Sequence, residues 1–521
     1  MMETKELILS IDLGTTAVKA ALVNRSGQVV ASGSTPLHLM QSDDGGAQQD
    51  GFALWAAVLN SCQQALSDAQ HRSAVFALAV GAQYSSIIPV DKNHEPLMPM
   101  VMWLDQRGSI EGFKKLGQRF NDHPLRQLRW LQIHGIPPLP SGADSLSHMR
   151  YIKVAKPEIY AKTVNFLEPM DYVCARLSGR AVANRCSAFM MLLTDNRRDA
   201  ELSYDDTLVR YSQIDRGKLP ELVSLSEPIG KILPEIAKEL GLSADTLVLP
   251  GINDTQAGGM GTGAFSGSHG GISIGTSSVL VTHADFKRTS VRYSLATMPS
   301  PVDNKNFVMA ECGVGGKALE HFLEGLVFAD DAFGCAQTPD PFVALHQAIA
   351  KVEPGANGLL YFPWLNGSMS PAEDGKVRGG FLNMSLDTSR AALGRAVLEG
   401  VANNIRWVSQ AVEKFTGRHF SHQVFYGGGA MSAAWAQILA DVLQVPVHQA
   451  ENPRYVPCIG AAFFAFYRLG LMSLEECAEA VNIRQVFTPR TEYSQRYNAN
   501  FTHFVEGFRR NRKIFHGLNA S

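Results

Sequence analysis

Two short segments of this 521-residue chain have the residue types that bind phosphate. Gly14-Thr15-Thr16-Ala17-Val18 and Gly275-Thr276-Ser277-Ser278-Val279 share the form Gly-Thr-hydroxyl-x-Val, and each follows an apolar run. A turn of this kind between two strands leaves backbone N–H groups free beside hydroxyls, an arrangement that binds phosphate oxygens. For one loop alone, an ordinary hairpin with a solvent-facing Asp is the favoured interpretation.

Charged residues flank the first of these loops. Asp12 lies just before it and could hold Mg²⁺ through water molecules, because that ion favours carboxylate and water oxygens. Lys19 follows the loop and could neutralise phosphate charge. The second loop has Ser273 at the position of Asp12, so it would supply hydrogen-bond donors without a metal ligand.

A third glycine-rich segment, Gly427-Gly428-Gly429-Ala430-Met431-Ser432, lies between an apolar run and a helical pattern over residues 434–443. Its glycines would let a flat ring lie against bare backbone, and the start of the following helix favours phosphate. The spacing is neither that of a dinucleotide fold nor that of a P-loop. Together with the two Gly-Thr loops, it indicates a nucleotide held between two lobes.

Asp254 is the candidate general base. It follows Pro250-Gly251 at the end of an apolar run and has few charged neighbours in the sequence. A hydroxyl that attacks a phosphoryl group needs a carboxylate within hydrogen-bond reach to accept its proton. The alternative is that Asp254 caps the start of a helix, where Asp is common.

A polar cluster in the first half could bind a polyhydroxyl ligand. Gln83 and Tyr84 end one predicted strand, and Trp103-Leu104-Asp105-Gln106-Arg107 ends another over residues 98–102. Aromatic faces stack on sugar C–H surfaces, while Asp, Gln and Arg bond to hydroxyls. The alternative is a surface salt bridge between Asp105 and Arg107, with Trp103 in the core.

The hydrophobic pattern predicts alternating strands and helices, which is typical of α/β layers. The two Gly-Thr loops are 261 residues apart, half the chain length, and this offset indicates two similar halves. A boundary is expected near residues 250–260, which divides the chain into residues 1–256 and 257–521. The pattern predicts strands over 7–13, 18–24, 75–80, 248–251 and 423–426, helices over 52–70, 393–415 and 434–443, and a strand pattern over 271–281.

Composition narrows the function classes. Lys and Arg number 47 and Asp and Glu number 49, so a formal charge of −2 provides no field for nucleic acid or for an anionic membrane. The basic cluster over residues 509–513 is therefore interpreted as the solvated end of a helix. No apolar run approaches the ~18 residues that cross a bilayer. Seven scattered cysteines without a CxxC pair are typical of a reducing compartment, so a cytoplasmic protein is expected.

Taken together, these motifs resemble those of the FGGY family of carbohydrate kinases, which belong to the actin-like ATPases. The first phosphate loop has the form found in xylulose kinases, and the motifs follow the family order over most of the chain. The resemblance is carried by residues 11–19, 103–107, 251–258, 273–277, 362–367, 378–381, 395–400 and 427–432.

The resemblance implies an α/β fold of two actin-like (ribonuclease H-like) lobes around a cleft, each a mixed sheet flanked by helices. Residues 1–256 would mainly bind sugar and residues 257–521 mainly ATP with Mg²⁺. The implied sugar-binding residues are Gln83, Tyr84, Trp103, Asp105 and Asp254. The implied metal-binding residues are Asp12 and Asp254. The implied ATP-binding residues are Gly14, Thr15, Thr16, Lys19, Gly275, Thr276, Ser277, Gly428, Gly429, Ala430 and Ser432.

Departures from the family pattern concern the substrate. Xylulose kinases usually have Gln-Met-His-Gly where this chain has Gln83-Tyr84-Ser85-Ser86, so Ser85 replaces the usual His. Ser368-Met369 replaces a common Glu-Arg. A xylulose-like ketose is the expected substrate, with another polyol, an aldonate or ribulose as alternatives. Other classes are a non-catalytic sugar or nucleotide sensor and an actin-like chaperone or assembly ATPase. Family members are often dimers, so a homodimer is one expectation.

Overall fold

The computed structural model describes residues 6–120, 123–331, 334–335, 338 and 340–520. The strands of the first half are β1 (Leu7–Leu13), β2 (Ala17–Val23), β3 (Val29–Pro36), β4 (Met40–Gln41), β5 (Ala47–Gln49), β6 (Val75–Ala82), β7 (Ile88–Val90), β8 (Met100–Val101), β9 (Asn165–Leu167), β10 (Val182–Ala183), β11 (Glu221–Leu222), β12 (Gly230–Lys231), β13 (Leu247–Val248) and β14 (Ile252–Asn253). Its helices are α1 (Gly51–Ala65), α2 (Ala69–Ala74), α3 (Ile110–Lys115), α4 (Pro124–Ile133), α5 (Ser145–Ala155), α6 (Pro157–Lys162), α7 (Pro169–Ser178), α8 (Asp206–Ser212), α9 (Pro234–Leu240) and α10 (Asp254–Gly261).

The second half has a similar mixture of elements. Its strands are β15 (Gly270–Ile274), β16 (Ser277–Ala284), β17 (Thr289–Ser290), β18 (Leu295–Pro299), β19 (Asn306–Val314), β20 (Asp330–Asp331), β21 (Gly334–Cys335), β22 (Leu360–Phe362), β23 (Gly380–Leu382), β24 (Gln423–Tyr426), β25 (Val447–Ala450) and β26 (Ile483–Phe487). Its helices are α11 (Gly316–Phe322), α12 (Pro341–Ile349), α13 (Arg390–Thr416), α14 (Ala433–Leu443), α15 (Val456–Arg468), α16 (Leu474–Glu479) and α17 (Ser494–Leu518).

The two large sheets repeat one topology. In the first, β1 pairs antiparallel with β2 and parallel with β6, and the sheet order is β12-β13-β6-β1-β2-β3, with β14 also paired to β6. In the second, β15 pairs antiparallel with β16 and parallel with β24, in the order β17-β18-β19-β16-β15-β24-β25-β26. Each Gly-Thr loop joins the same two strands of its sheet, so the predicted repeat of two similar halves is confirmed.

The central strand β1 is buried along its whole length because helices cover both faces of its sheet. Leu9 and Ile11 pack in one core with residues of α1, while Ile8, on the opposite face, packs in another with residues of α15. Burying each such side chain stabilises the fold by about 1.5–3 kcal/mol relative to exposure. An uninterrupted apolar strand therefore indicates a sheet covered on both sides.

Helix α15 connects the two halves. It belongs to the second half in sequence, yet it packs against β1 and β6 of the first sheet and against α10. The crossing of α10 and α15 is so close that a Cβ atom on Gly460 would lie 1.7 Å from the carbonyl oxygen of Ala257. Only glycine allows this contact. The division at residues 256 and 257 falls within α10 and stays a prediction.

Three predicted elements differ from those in the structure, one of them the strand predicted over 248–251, which ends at Val248 in β13. The helical pattern over residues 52–70 is divided into α1 and α2, because the Asp68 carboxylate accepts a hydrogen bond from Gln70 N and caps a new helix. The predicted strand over 98–102 is only the two residues of β8. Within the described part of the chain, no helix has the length and apolar character that a membrane span requires.

Replacing Gly460 with Ala should lower the stability of the protein by about 1–3 kcal/mol, because overpacking must push α15 away from α10. The melting temperature measured by calorimetry would show the loss. Gly517→Ala is the matched control, since no atom lies within 4 Å of a Cβ at that helical position and alanine favours helix. Equal melting of the Gly460→Ala variant and the wild type would contradict the packing described here.

Candidate active site

Three loops of the first sheet begin at the same edge, at the carboxyl ends of parallel strands. The Gly14 loop follows β1, Gln83 and Tyr84 follow β6, and Asp254 follows β14. Ala82 is level with Leu13 on one side and with Asn253 on the other, so the three strands end together. The carboxyl edge of parallel strands is where α/β folds bind their ligands.

The second sheet places its two glycine loops together in the same way. Gly275 follows β15, and Gly427 follows the parallel neighbour β24. Gly427 has a φ of +85°, and a Cβ there would lie 2.8 Å from the carbonyl oxygen of Ile274. Glycine is therefore required where the two loops approach each other.

The carboxyl edges of the two sheets face each other at Asp254. A Cβ on Gly258, one turn after Asp254 in α10, would lie 2.3 Å from the hydroxyl of Tyr426, the last residue of β24. Burial raises the pKa of Tyr426, and the charges of Asp254 and Asp12 raise it further. On the other side, the Tyr84 hydroxyl donates to Met309 Sδ in β19 at 3.4 Å. Asp254 therefore lies where the carboxyl edges of the two sheets meet.

Asp254 is the first residue of α10 but does not cap it. Asn253 is the cap: its side chain accepts from Gln256 N at 2.7 Å, and the Gln256 side chain accepts from Asn253 N at 3.3 Å. The alternative interpretation of Asp254 as a helix cap is therefore wrong. Burial raises the pKa of Asp254 to about 7, and Asp12 contributes in the same direction. A carboxyl with this pKa can accept a proton near neutral pH.

Asp12 and Lys19 form an ion pair across the first hairpin. They are directly opposite each other in β1 and β2, and Lys19 Nζ lies 2.9 Å from Asp12 Oδ2. The pair raises the pKa of Lys19. Asp12 Oδ1 is buried, and none of the described residues donates a hydrogen bond to it. A carboxylate oxygen left in this way fits a water ligand of Mg²⁺.

A hydrogen-bond network joins the first phosphate loop to the predicted sugar site. Gln83 Oε1 accepts from Thr15 Oγ1 at 3.0 Å and from Trp103 Nε1 at 3.2 Å, and Gln83 Nε2 donates to Gln49 at 3.0 Å. Gln49 Nε2 in turn donates to the Thr15 carbonyl at 2.7 Å. Trp103 is half-buried with its ring N–H in this network, so the alternative that placed it in the core is wrong.

Asp105 lies deeper than its neighbours. Its side chain is fully buried, and Oδ2 accepts from Ala47 N at 2.9 Å and from an Arg107 N–H at 2.6 Å. The salt bridge to Arg107 that the sequence offered as an alternative therefore exists, but it is buried. Both carboxylate oxygens of Asp105 are thus used within the protein, by Arg107 and by Ala47 N, and a contact of Asp105 with sugar stays a prediction.

The predicted ATP residues differ in exposure. Gly275, Thr276 and Gly428 are exposed, as Thr16 is, whereas Ala430 is buried. The Ser432 hydroxyl accepts from Trp435 N at 3.1 Å as the cap of α14 and contacts His346 Nε2 at 2.8 Å. The loops at Gly275 and Gly427 follow neighbouring parallel strands of the second sheet, and Thr16 belongs to the hairpin of the first sheet. Their assignment to ATP stays a prediction.

Sequence reasoning missed Ala143, Ser145 and Glu168, the residues that support the loop after β6. Ser85 has a φ of +61°, and its hydroxyl donates to the Ala143 carbonyl at 2.6 Å. Glu168 accepts from Ser86 N at 3.1 Å and from the hydroxyl of Ser145, and burial raises its pKa to about 8. Glu168 is 82 residues from Ser86 in sequence, so no local pattern indicated the contact.

The fold and the site define a class: two lobes of one topology with Gly-Thr loops and an acid at their facing edges, as in actin-like phosphotransferases. Residues 7–261 match the N-terminal domain model of the FGGY family of carbohydrate kinases, and residues 270–469 match its C-terminal domain model. The chain belongs to this family and is a carbohydrate kinase. Sugar kinases of the family use ATP as the phosphate donor.

Curated relatives extend over the whole chain. A xylulose kinase of Staphylococcus epidermidis is 27% identical over 518 residues, covering 98% of each chain. A gluconokinase of Bacillus subtilis is 25% identical over 509 residues, covering 96% of this chain and 94% of the relative. The crystal structure of gluconate kinase from Lactobacillus acidophilus has a TM-score of 0.84 at 22% identity, covering 99% of this chain and 100% of the other. The actin-like two-lobe fold predicted from the motifs is confirmed.

Replacing Asp254 with Asn should raise the melting temperature at pH 8. Because the pKa of Asp254 is raised in the folded protein, the folded state binds this proton more tightly than the unfolded state does. The wild type therefore loses stability relative to the variant as the pH rises from about 4 to about 7, and the difference should disappear below pH ~4.

Asp245→Asn is the control, since Lys231 lowers the pKa of that exposed carboxyl and its removal should not stabilise the protein. A wild type that melts above the Asp254→Asn variant at pH 8 would contradict the assigned environment of Asp254.

Proposed function

We propose that this kinase transfers the γ-phosphoryl group of ATP to a hydroxyl of a small sugar or polyol, with a xylulose-like ketose as the first candidate. The observation that carries the proposal is the position of Asp254, whose pKa is raised to about 7, between the edges of the two sheets. The xylulose kinase of Staphylococcus epidermidis, 27% identical over 98% of both chains, supports the choice of substrate.

In the proposed reaction, Asp254 accepts the proton of the attacking hydroxyl as its oxygen bonds to the γ-phosphorus. The bond between that phosphorus and the bridging oxygen breaks, and ADP leaves. Such proton transfer contributes ~10²–10⁴-fold to the rate. Most of the remaining acceleration comes from positioning and from neutralising phosphate charge.

The two Gly-Thr loops would hold the phosphates through backbone N–H groups and hydroxyls. The glycine surface at Gly428 and Gly429 would receive the adenosine. Lys19, which is paired with Asp12, would also interact with the negatively charged phosphates. The network of Gln83, Thr15 and Trp103 would then link the sugar to the phosphate loop, so that the two substrates are positioned by one set of hydrogen bonds.

Mg²⁺ would be held at Asp12, whose buried Oδ1 has no donor among the described residues, with Asp254 next to it. When bound, the ion neutralises charge on the triphosphate. Asp254 was predicted both as base and as metal ligand. The raised pKa of Asp254 favours the role of base. A proton that binds this carboxyl near pH 7 competes with a metal cation for the same oxygens.

We also propose a cytoplasmic location, which the scattered cysteines support: the six whose side chains are described are all buried free thiols. A homodimer remains a prediction, as does the absence of nucleic-acid and membrane partners.

Asp254→Asn should lower kcat by ~10²–10⁴-fold, because no group remains to accept the proton, while ATP binds as before. ADP release with D-xylulose and Mg²⁺-ATP measures the rate, and calorimetry measures ATP affinity. In the wild type, kcat/KM should fall about tenfold per pH unit below pH ~7, where Asp254 becomes protonated. An active Asp254→Asn variant would remove Asp254 as the base, and no turnover on any of a panel of ketoses, aldonates and polyols would overturn the proposed function.

Asp12→Asn should raise the Mg²⁺ concentration for half-maximal rate by about 10–100-fold, since the carboxylate that orients the ion's water is lost. Lys19→Gln is the matched control because it breaks the same ion pair and keeps the carboxylate. That control should raise the KM for ATP without a comparable change in Mg²⁺ dependence. Equal effects of the two substitutions on Mg²⁺ dependence would show that the ion pair, not a metal site, was disturbed.

A further inference from the structure

Glu311 is a carboxylate of the second half that lies beside the predicted sugar site. It belongs to β19, where it is opposite Val279 of β16, and Met309 lies two residues earlier opposite Val281. Residues two apart in a strand point to the same face. Glu311 and Met309 therefore project from one face of the second sheet.

That face contacts the first half at Tyr84. The Tyr84 hydroxyl donates to Met309 Sδ at 3.4 Å, and Tyr84, Met309 and Val279 pack around one apolar cluster. Burial raises the pKa of Tyr84, and among the charges that raise it further, Glu311 has a larger effect than Asp254. The Glu311 carboxylate thus lies across the cleft from the loop that was predicted to bind sugar.

Glu311 has unused hydrogen-bonding capacity. Its side chain is half-buried, and none of the described residues donates a hydrogen bond or forms a salt bridge to its carboxylate, although its backbone carbonyl accepts from Ser370 N at 3.2 Å. Burial raises its pKa, and nearby Glu373 raises it further. A half-buried carboxylate without donors costs free energy unless a ligand supplies them.

Two cations of the first half, one beside the first phosphate loop and one beside the predicted sugar site, are already paired with carboxylates. Lys19 is paired with Asp12 at 2.9 Å, and Arg107 is paired with Asp105 at 2.6 Å. A sugar hydroxyl could donate a hydrogen bond to the Glu311 carboxylate. The carboxylate of an aldonate would instead lie near the negative charges of Glu311 and Asp254, and Lys19 and Arg107 are already paired and would not neutralise it. Like charges at short range in a half-buried site repel strongly.

We propose that Glu311 accepts a hydrogen bond from a sugar hydroxyl and makes this site selective for neutral sugars and polyols over aldonates. The inference rests on the proposed function and chooses between its candidate substrates, since xylulose kinase and gluconokinase relatives have nearly equal identity. It also gives the second half a direct contact with the sugar.

Glu311→Gln removes the charge with little change of shape. It should lower kcat/KM for D-xylulose by about 10–100-fold, the loss expected for a hydrogen bond to a charged group, mainly through KM. It should leave kcat/KM for D-gluconate unchanged or higher, and the KM for ATP within about twofold. Glu475→Gln, at an exposed position of α16, is the matched control and should change neither substrate.

A second measurement compares two ligands, and its main result comes from the wild type alone. Calorimetry on the wild type without ATP compares xylitol with xylonate, which have the same length and differ by one carboxylate. Xylitol should bind at least about tenfold more tightly, and the difference should shrink in Glu311→Gln.

Several results would overturn the assignment of Glu311: tighter binding of xylonate, no binding of either compound, a wild type that prefers gluconate, or an unchanged kcat/KM for D-xylulose in the variant. Each of these except the absence of binding leaves Asp254 and the kinase reaction standing. If the wild type turned over no sugar but still bound xylitol more tightly than xylonate, the proposed function alone would be refuted.

Discussion

Two carboxylates held beside each other are the constraint on which the rest of this structure depends. Asp12 lies near the end of β1 and Asp254 begins α10, and the charge of Asp12 adds to burial in raising the pKa of Asp254 to about 7. Repulsion of this kind opposes folding, and Lys19 reduces it by pairing with Asp12 at 2.9 Å. In the proposed reaction, this arrangement would provide a base near neutral pH, and Asp12 Oδ1 would accept from a water ligand of Mg²⁺.

The backbone keeps these groups together through contacts that leave little freedom. The register of β14 with β6, and of β6 with β1, sets the height of Asp254 relative to Asp12. Helix α10 starts at Asp254 and crosses α15, which packs on β1, with Gly460 at the closest approach. Asp254 is therefore placed by helices and strands whose positions are determined by packing, as its proposed catalytic role requires.

Much of the fold and of the site could be predicted because the signals are local. The two hairpins, the glycine loops and the helix after Gly427 follow from apolar periodicity, turn residues and their order along the chain. Prediction from local sequence failed where a contact depends on a residue that is distant in the chain. The sequence left a core position open as the alternative for Trp103, but the ring N–H of Trp103 bonds to Gln83, which lies 20 residues away in the chain. Glu311 carried no signal, because Tyr84 and Met309 meet across 225 residues.

The sequence by itself determined the family, the repeat of two halves and the residue types at the phosphate loops, since each depends on residues close together in the chain. Only the tertiary structure decided which carboxylates are neutralised by an ion pair and which have no partner among the described residues. Both oxygens of Asp105 accept hydrogen bonds, from Arg107 and from Ala47 N. Asp12 is paired with Lys19 through Oδ2 alone, and no described residue donates to the Glu311 carboxylate. Burial and charge pairing depend on groups that meet only when strands and helices far apart in sequence pack together, and pKa and ligand preference follow from them.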